Sequence, residues 1–299
     1  MKIKRIISIV LSLLLAISAI TILSSCSGQI NDGVLIYEER SNGFGVMGCA
    51  DAEATEVVIP AEYDGKPVVA IYGMNFFTKM EKVTIPETIT YVGSEAFSDC
   101  SALKEVVWGA AEISNCKAAF KGAGSSTGLK LIVKSTVVEL PFSLFSGCAN
   151  LTEIVFEGAP KKIDGNTFYN CTGLTSVQLP EGIEAIGNNT FEGCSSLSSI
   201  TLPESLTQIG SYAFGGCTAL ESISFGTNVT SFGSKVFKDC ENLISINYNG
   251  TVEEWESNIS YSTSADTYGE NVGKNNPDFA KYGTRVRVNC SDGTIELKN

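Results

Sequence analysis

Residues 174–196 read LTSVQLPEGIEAIGNNTFEGCSS, and residues 197–219 repeat the pattern as LSSITLPESLTQIGSYAFGGCTA. Two further copies flank them, so that residues 151–242 hold four consecutive units of 23 residues. A fixed period in the twenties is typical of a solenoid in which each repeat is one coil that buries its apolar side against its neighbours. The columns that recur once per unit are these: Leu151, Leu174, Leu197, Leu220; Ile154, Val177, Ile200, Ile223; Phe168, Phe191, Phe214, Phe237; Cys171, Cys194, Cys217, Cys240.

Each unit predicts its own local structure. The alternating segment at its start indicates a short strand, because successive side chains of a strand point to opposite faces. Pro180 and Pro203 follow the strand and end it, since proline donates no ladder hydrogen bond. The Ile-Gly pair predicts a buried side chain and a turn, and the segment around the phenylalanine has room for about one helical or 3₁₀ turn. Stacked units then form parallel strands about 4.8 Å apart.

These motifs carry a resemblance. The order Leu-x-x-Ile-x-Leu-Pro, Ile-Gly, Ala-Phe, Cys at fixed spacing resembles the BspA-like, or Treponema-type, leucine-rich repeats of bacterial surface proteins. The resemblance covers roughly residues 54–250 and implies a right-handed, mainly β solenoid with N- and C-terminal caps. It also implies a secreted or surface-attached protein whose solenoid face binds other molecules, often host proteins or other cells.

Residues 1–25 predict a signal peptide. Lys2, Lys4 and Arg5 precede a continuous apolar run, and Leu23-Ser24-Ser25 places small residues before Cys26. This arrangement resembles the signal of bacterial lipoproteins, which are cut before a cysteine whose thiol takes the lipid. A plain secretory peptide or a membrane-spanning anchor is the alternative, because the run is near the lower limit for a span. We expect Cys26 to be the lipid attachment site and residues 26–32 to be a flexible tether.

The remaining chain divides into three predicted parts. Residues 33–79 form an N-terminal cap and first coil, residues 80–250 the repeats, and residues 251–299 a C-terminal cap. A solenoid needs both caps because its end coils otherwise expose an apolar edge. In the C-terminal cap, the stretch TVEEWESNI is helix-like, and the Asp292-Gly293 turn between alternating segments predicts a terminal hairpin.

Charge and composition argue against several functions. The chain of 299 residues has a net charge of −12 and no histidine. The negative charge repels nucleic acid, so we expect no nucleic-acid partner. Gly124–Gly128 fits the G-x-S-x-G pattern of hydrolases, but there is no histidine to act as base. Gly43–Gly48 fits G-x-G-x-x-G without the following helix that a dinucleotide site requires. The sequence therefore predicts a non-catalytic protein without a cofactor.

The cysteines of the repeat column predict buried free thiols. Their stacked side chains run parallel, whereas a disulfide needs Cβ atoms about 3.8 Å apart and turned toward each other. Metal sites need closely spaced, converging ligands, and no C-x-x-C pair occurs. We expect the column thiols to pack as small hydrophobic groups, and we expect no metal site. Cys49, Cys116 and Cys290 lie outside the column and remain unassigned.

The outward side of the predicted strands is the candidate binding face. Its side chains carry hydroxyl and amide groups and almost no charge in the later repeats. One interpretation is a solvated sheet surface with good β-propensity, and the other is a flat platform for a polypeptide or glycan. The candidate residues are Ser176, Gln178, Ser199, Thr201, Ser222, Ser224, Ser245 and Asn247.

Three hypotheses for function follow. The first is a lipid-anchored surface protein that binds proteins or glycans, and an exposed apolar patch favours it. The second is a glycan-handling accessory protein, which requires converging carboxylates in a cleft. The third is an envelope spacer without a specific ligand, for which we expect a smooth, uniform exterior.

Overall fold

The computed structural model describes residues 29–74, 77–98, 100–113, 116–125, 127–258 and 286–297. It is a solenoid of stacked coils, mainly β, and this confirms the fold class. The predicted signal peptide, Cys26 and residues 259–285 of the predicted C-terminal cap lie outside the described residues.

The N-terminal cap begins the first sheet. Three antiparallel strands are followed by a strand that pairs in parallel with the third of them and also with the first short strand of the repeats. The strands of this sheet are β1 (Gln29–Asn31), β2 (Leu35–Arg40), β3 (Gly43–Cys49), β5 (Glu62–Tyr63), β6 (Lys66–Ile71) and β8 (Tyr91–Val92).

Strand β1 differs from the flexible spacer expected within residues 26–32. Its backbone pairs with β2, and the carboxylate of Asp32 accepts the backbone N–H groups of Val34 and Leu35 at 2.9 and 2.8 Å. The same carboxylate accepts the hydroxyl of Tyr37 at 2.7 Å. Burial raises the pKa of Asp32, but these hydrogen bonds outweigh burial, so the pKa lies below its usual value. These contacts fix the chain before the first coil.

The strand segments that open the repeats form two parallel sheets, together called the long-strand ladder. The first sheet contains β4 (Glu56–Val58), β7 (Lys82–Ile85), β9 (Glu105–Trp108), β10 (Leu129–Val133) and β12 (Leu151–Phe156). The second contains β14 (Ser176–Gln178), β16 (Ser199–Thr201), β18 (Ser222–Phe225) and β20 (Ser245–Tyr248), and then β21 (Val286–Asn289) and β22 (Thr294–Leu297).

The segments at the position of the Ile-Gly pair form the short-strand ladder, a parallel sheet of two-residue strands on another side of the solenoid. Its members are β11 (Glu139–Leu140), β13 (Lys162–Ile163), β15 (Ala185–Ile186), β17 (Gln208–Ile209) and β19 (Ser231–Phe232).

The phenylalanine segments form a third ladder of turns, and here the structure differs from the predicted helical or 3₁₀ turn. The residues two before and two after each phenylalanine adopt left-handed backbone conformations, as at Asn166 and Asn170 on either side of Phe168, with φ of 56° at both. A left-handed residue at every fourth position prevents helix propagation. The N–H groups of Asn166, Phe168 and Asn170 instead donate to the next coil, at 2.9, 3.0 and 2.7 Å.

The core is a set of columns inside these ladders, as the repeat predicts. The phenylalanine rings stack face to face from Phe97 to Phe237, with centroids 4.5–6.2 Å apart and interplanar angles of 26° or less. The column leucines from Leu151 to Leu243 are fully buried. This continuous apolar interior joins all the coils into one stack.

The C-terminal cap closes the last coil with a helix and a hairpin. Helix α1 (Val252–Asn258) begins with a capping box, in which Thr251 Oγ1 accepts the N–H of Glu254 at 3.1 Å and the Glu254 carboxylate accepts the N–H of Thr251 at 2.8 Å. Strand β21 pairs in parallel with β20, and β22 pairs antiparallel with β21. The predicted hairpin forms, but its turn is closed by a hydrogen bond from Cys290 N to Gly293 O at 2.8 Å.

The turn therefore lies one residue earlier than the Asp292-Gly293 turn that the sequence predicts. The physical reason is Asp292, whose carboxylate accepts the N–H of Val252 at 2.8 Å and so fixes the hairpin to the start of α1.

Candidate functional site

The thiol column is structural. Cys148, Cys171, Cys194, Cys217 and Cys240 are buried and free, which confirms the prediction. Each thiol also donates a hydrogen bond into the preceding coil, as from Cys194 Sγ to the carbonyl of Phe168 at 3.3 Å. The prediction of a purely hydrophobic role missed this bond, because the repeat pattern shows which residues stack but not which atoms meet.

These thiols are protected from reaction. Burial raises the pKa of Cys148, Cys194 and Cys240 to about 12 and that of Cys171 and Cys217 well above the ordinary value. Because the thiolate is the reactive form, the column is inert in the folded protein. Cys49, Cys116 and Cys290, which lie outside the column, are also free, and Cys116 donates to the carbonyl of Phe142 at 3.3 Å.

The two glycine-containing motifs found in the sequence do not lie in the structures that their chemistry requires. Gly43–Cys49 is β3, a strand rather than a loop that opens a helix. Ser126, the central serine of the G-x-S-x-G match, lies outside the described residues. Within the described ranges, no group of three or more Cys, Asp or Glu side chains is placed to hold a metal ion. No helix among those residues is long and apolar enough to cross a membrane.

The outward side of the long-strand ladder has two different halves. In the first half, alternating charges run along one column: Lys82 Nζ lies 3.5 Å from Glu56 and 3.2 Å from Glu105, and Lys130 Nζ lies 2.9 Å from Glu153. The hydrogen bond and charge of Glu105 raise the pKa of Lys82. In the second half, the outward residues of β14, β16, β18 and β20 are uncharged, and they include the eight candidate residues.

The structure divides these eight residues into two groups of four. Ser176, Gln178, Ser199 and Thr201 are exposed and line a groove of about 760 Å³. The other four are half-buried and do not line that groove: these are Ser222, Ser224, Ser245 and Asn247.

Two residues of the second group, Ser245 and Asn247, are hydrogen-bonded to the C-terminal hairpin, and a third, Ser224, is bonded to Asn247. Asn289 of β21 donates through Nδ2 to Ser245 Oγ and to Asn247 Oδ1, each at 2.9 Å. Asn247 Nδ2 donates in turn to Ser224 Oγ at 3.1 Å. These polar groups stabilise the cap, and only the first group is free to meet a ligand.

The groove lies where the long-strand ladder is interrupted, and we call it the seam groove. Strand β12 ends the first sheet and β14 begins the second, and no strand pairing joins them although every residue of both is described. The seam groove is lined by Ile154–Phe156 of β12, by Ser176–Pro180 with Glu181, and by Ser199–Pro203.

The interruption leaves backbone polar groups turned toward one another. Glu157 N donates to Val133 O at 2.8 Å, so the backbone N–H and C=O of Glu157 point toward β10. Because these groups alternate along a strand, those of Phe156 and Ile154 point toward β14. Ser198 N donates to Thr175 O at 3.3 Å, so the backbone groups of Thr175 point toward β16. By the same alternation, the backbone groups of Ser176 and Gln178 point toward β12. Both sides thus present N–H and C=O groups at an unpaired sheet edge.

The other two ladders continue across the same coils. Lys162 pairs with Ala185 in the short-strand ladder, and Phe168 N donates to Thr190 O at 3.0 Å in the turn ladder. The coils therefore separate on one side only. Phe156 and Leu179, whose column is buried in the later coils, are only half-buried beside this opening.

Comparison with known proteins gives the family. The sequence profile of the BspA type leucine rich repeat region matches in six copies over residues 72–171 and 138–267, which is more than half of the chain. The chain therefore belongs to the BspA-type leucine-rich-repeat family of bacterial proteins. No match was found among curated proteins.

Three solved structures are similar to this chain. The leucine-rich repeat protein of T. pallidum is 23% identical, with 72% of this chain and 90% of that chain covered and a TM-score of 0.47. A leucine-rich cell surface protein from Faecalibacterium prausnitzii is 20% identical, with 75% and 77% covered and a TM-score of 0.37. A leucine-rich repeat protein from Bacteroides ovatus is 18% identical, with 87% and 99% covered and a TM-score of 0.38.

Proposed function

We propose that this protein is exported, anchored to the cell surface by lipid on Cys26, and binds extended polypeptides in the seam groove without catalysing a reaction. The observation that carries the proposal is the interruption between β12 and β14, where unpaired backbone groups and half-buried apolar side chains lie together. The leader that ends at Cys26 supports the anchor.

The chemistry of the groove suits a polypeptide. An extended chain offers alternating N–H and C=O groups, which are the partners that an open sheet edge lacks, and strand addition is a common mode of peptide recognition. Val155, Phe156 and Leu179 provide apolar contact, and the exposed hydroxyl and amide groups of Ser176 and Gln178 form a polar rim. A glycan lacks the backbone pattern that would complete the ladder.

Binding can be tested with the full-length protein, purified in detergent, on arrays of matrix proteins, unstructured polypeptides and glycans. We expect retention of polypeptides and a loss of roughly tenfold or more in affinity for Gln178→Arg combined with Ser199→Arg, because two bulky charges then occupy the groove. Gln208→Arg is the matched control, since Gln208 is an exposed glutamine on the short-strand ladder.

The alternatives give different results. Retention of glycans alone, with polypeptides unbound, supports the glycan-handling hypothesis. An array on which nothing is retained supports the envelope spacer. Equal weakening by Gln208→Arg places the binding surface elsewhere.

The anchor is tested separately in the cells that make the protein. We expect metabolic labelling with a fatty acid to mark the wild type and not Cys26→Ala, and we expect the variant to leave the membrane fraction. An unlabelled wild type, or a Cys26→Ala variant that stays with the membrane, contradicts lipid attachment.

A further inference from the structure

A second cavity, of about 660 Å³, lies on a different side of the solenoid at the irregular repeat that begins at Leu103. On one side the cavity is lined by residues 111–113, 116 and 117 of this repeat, and on the other by residues 138, 139, 141 and 142, which lie in and beside β11. Asp164 of the following coil completes the lining. We call this cavity the acidic pocket.

The walls of the acidic pocket are apolar. Phe142 is 53% exposed and Val138 is 47% exposed, and these are two of only five large hydrophobic side chains that are exposed among the described residues. Ile113 and Pro141 complete the walls, and the buried Cys116 lies at the base. Two neighbouring exposed hydrophobic side chains around a concavity are typical of a binding site rather than of a solvated surface.

The rim of the acidic pocket is negative. Glu112, Glu139 and Asp164 supply three carboxylates against the single ammonium of Lys117. Asp164 has a partner outside the pocket, Lys162 Nζ at 3.1 Å. No ion pair involves Glu112 or Glu139 in the part of the chain that the structure describes.

Many lysine and glutamate side chains of the repeats are paired between coils, as in the Lys82, Lys104, Lys130, Lys134 and Lys161 pairs. Glu112 and Glu139 lie instead beside the exposed apolar side chains of the pocket, where three carboxylates stand against one ammonium. The electrostatic complement of such a rim is a cation held beside an apolar group.

We propose that the acidic pocket binds a segment of another protein in which an aromatic or aliphatic side chain stands next to lysine or arginine. The apolar side chain enters between Phe142 and Val138, and the cation meets Glu112 and Glu139. The volume of the pocket lies within the range of about 300–1,000 Å³ that is usual for ligand sites. The pocket shares no residue with the seam groove, so this proposal does not depend on the proposed function.

The test uses fluorescence anisotropy with the full-length protein in detergent and three fluorescein-labelled octapeptides. The first alternates phenylalanine with arginine, the second replaces arginine by glutamate, and the third replaces phenylalanine by serine. We expect saturable binding of the first peptide alone, weakened by added salt because charge pairs at a rim are screened.

Substitutions locate the binding. We expect Phe142→Ser to weaken binding of the first peptide by roughly tenfold, and the pair Glu112→Lys with Glu139→Lys to weaken it by a similar factor and to reduce its salt dependence. Ile244→Ser is the control for the apolar change, because Ile244 is also 53% exposed and lies in another coil. Glu241→Lys, at an exposed position, is the control for charge.

Three results would overturn the proposal. The first is no saturable binding of the phenylalanine–arginine peptide up to about 1 mM, the weak end of specific association. The second is equal binding of the glutamate or serine peptide. The third is equal weakening by the variants and their controls. Gln178→Arg with Ser199→Arg leaves this binding unchanged, so failure here and failure of the seam groove are distinguishable.

Discussion

Replacing Phe191 by alanine tests the central claim that the coils are joined by one continuous aromatic stack. The Phe191 ring is fully buried, with its centroid 5.4 Å from that of Phe168 and 5.5 Å from that of Phe214. Removing a buried phenylalanine costs about 3–5 kcal/mol of unfolding free energy. The upper end of this range applies here, since the ring has neighbours on both faces and the surrounding coils are held by ladders that restrict collapse into the cavity.

The chain contains two tryptophans, and they report on opposite sides of this coil. Trp108 lies in the core of the first half, and Trp255 packs in the C-terminal cap against Tyr248, with ring centroids 5.4 Å apart. Urea denaturation followed by fluorescence of the single-tryptophan variants Trp108→Phe and Trp255→Phe therefore reads each side separately. Because the stability of a solenoid is roughly a sum of coil and nearest-neighbour terms, we expect Phe191→Ala to separate two transitions that coincide without it.

The control is Ile244→Ala, which removes an exposed side chain and should change the unfolding free energy by no more than about 0.5 kcal/mol. A loss of less than about 1 kcal/mol for Phe191→Ala would refute the stack, because so small a value is typical of a surface position. If Phe191→Ala loses about the full 3–5 kcal/mol of unfolding free energy but both tryptophans report the same transition, the stack is supported and the nearest-neighbour description of stability is contradicted.

Three further predictions concern the thiol column, two glycines and Asp32. The thiols of the column should react with Ellman's reagent at pH 8 only after unfolding, because burial raises the pKa of Cys148, Cys194 and Cys240 to about 12. The absorbance at 412 nm counts the reacted thiols, and rapid reaction in the folded protein that persists after Cys26, Cys49, Cys116 and Cys290 are replaced by serine would contradict the burial of the column. Gly193→Ala should cost more unfolding free energy than Gly216→Ala. Both glycines are left-handed, with φ of 74° and 66°, but the new Cβ collides with Asn170 Oδ1 only at Gly193. Equal midpoints of urea denaturation for the two variants would contradict the close packing of Gly193 against Asn170. Asp32 has a pKa below its usual value, so its stabilising contribution is present above the unfolded-state pKa of about 3.9 and is lost as the pH falls through the lower folded-state pKa. In thermal unfolding, Asp32→Asn should therefore destabilise the protein at pH 7 but much less at pH 2. An equal effect at both pH values would mean that the ionised carboxylate is not the stabilising form.

The repeat columns allowed most of the fold to be predicted. Leucine, isoleucine and phenylalanine at fixed spacing fix which side chains are buried, and the burial of Leu174, Ile186 and Phe191 follows directly. The left-handed positions were missed, although a signal was present. The described residues two after each phenylalanine from Phe120 onward are all Gly, Asn or Asp, the types that tolerate left-handed backbone best.

The cavities were harder to predict because they depend on relations between coils. The unit that begins at Leu129 is one residue short, and the structure absorbs this shortfall by a bulge opposite Leu129 and Lys130, in β12. A bulge increases the local twist of its strand, which favours an interruption at the following coil. The sequence of β14 does not reveal this, since SVQ matches the corresponding segments of its neighbours.

The positions of the two cavities explain how the solenoid forms binding surfaces without losing its continuity. The seam groove lies in the long-strand ladder between β12 and β14, and the acidic pocket lies beside β11. The phenylalanine rings stack through both places, from Phe120 to Phe145 at the pocket and from Phe168 to Phe191 at the groove. Each opening is therefore held by an intact core, so that its edges stay preorganised and a ligand need not meet the cost of ordering them. Where the repeat is most regular, from β14 to β20, strand pairing occupies the backbone groups between neighbouring strands, and the surface there offers mainly side chains. Binding is expected where the pattern fails on one side while the stack continues behind it.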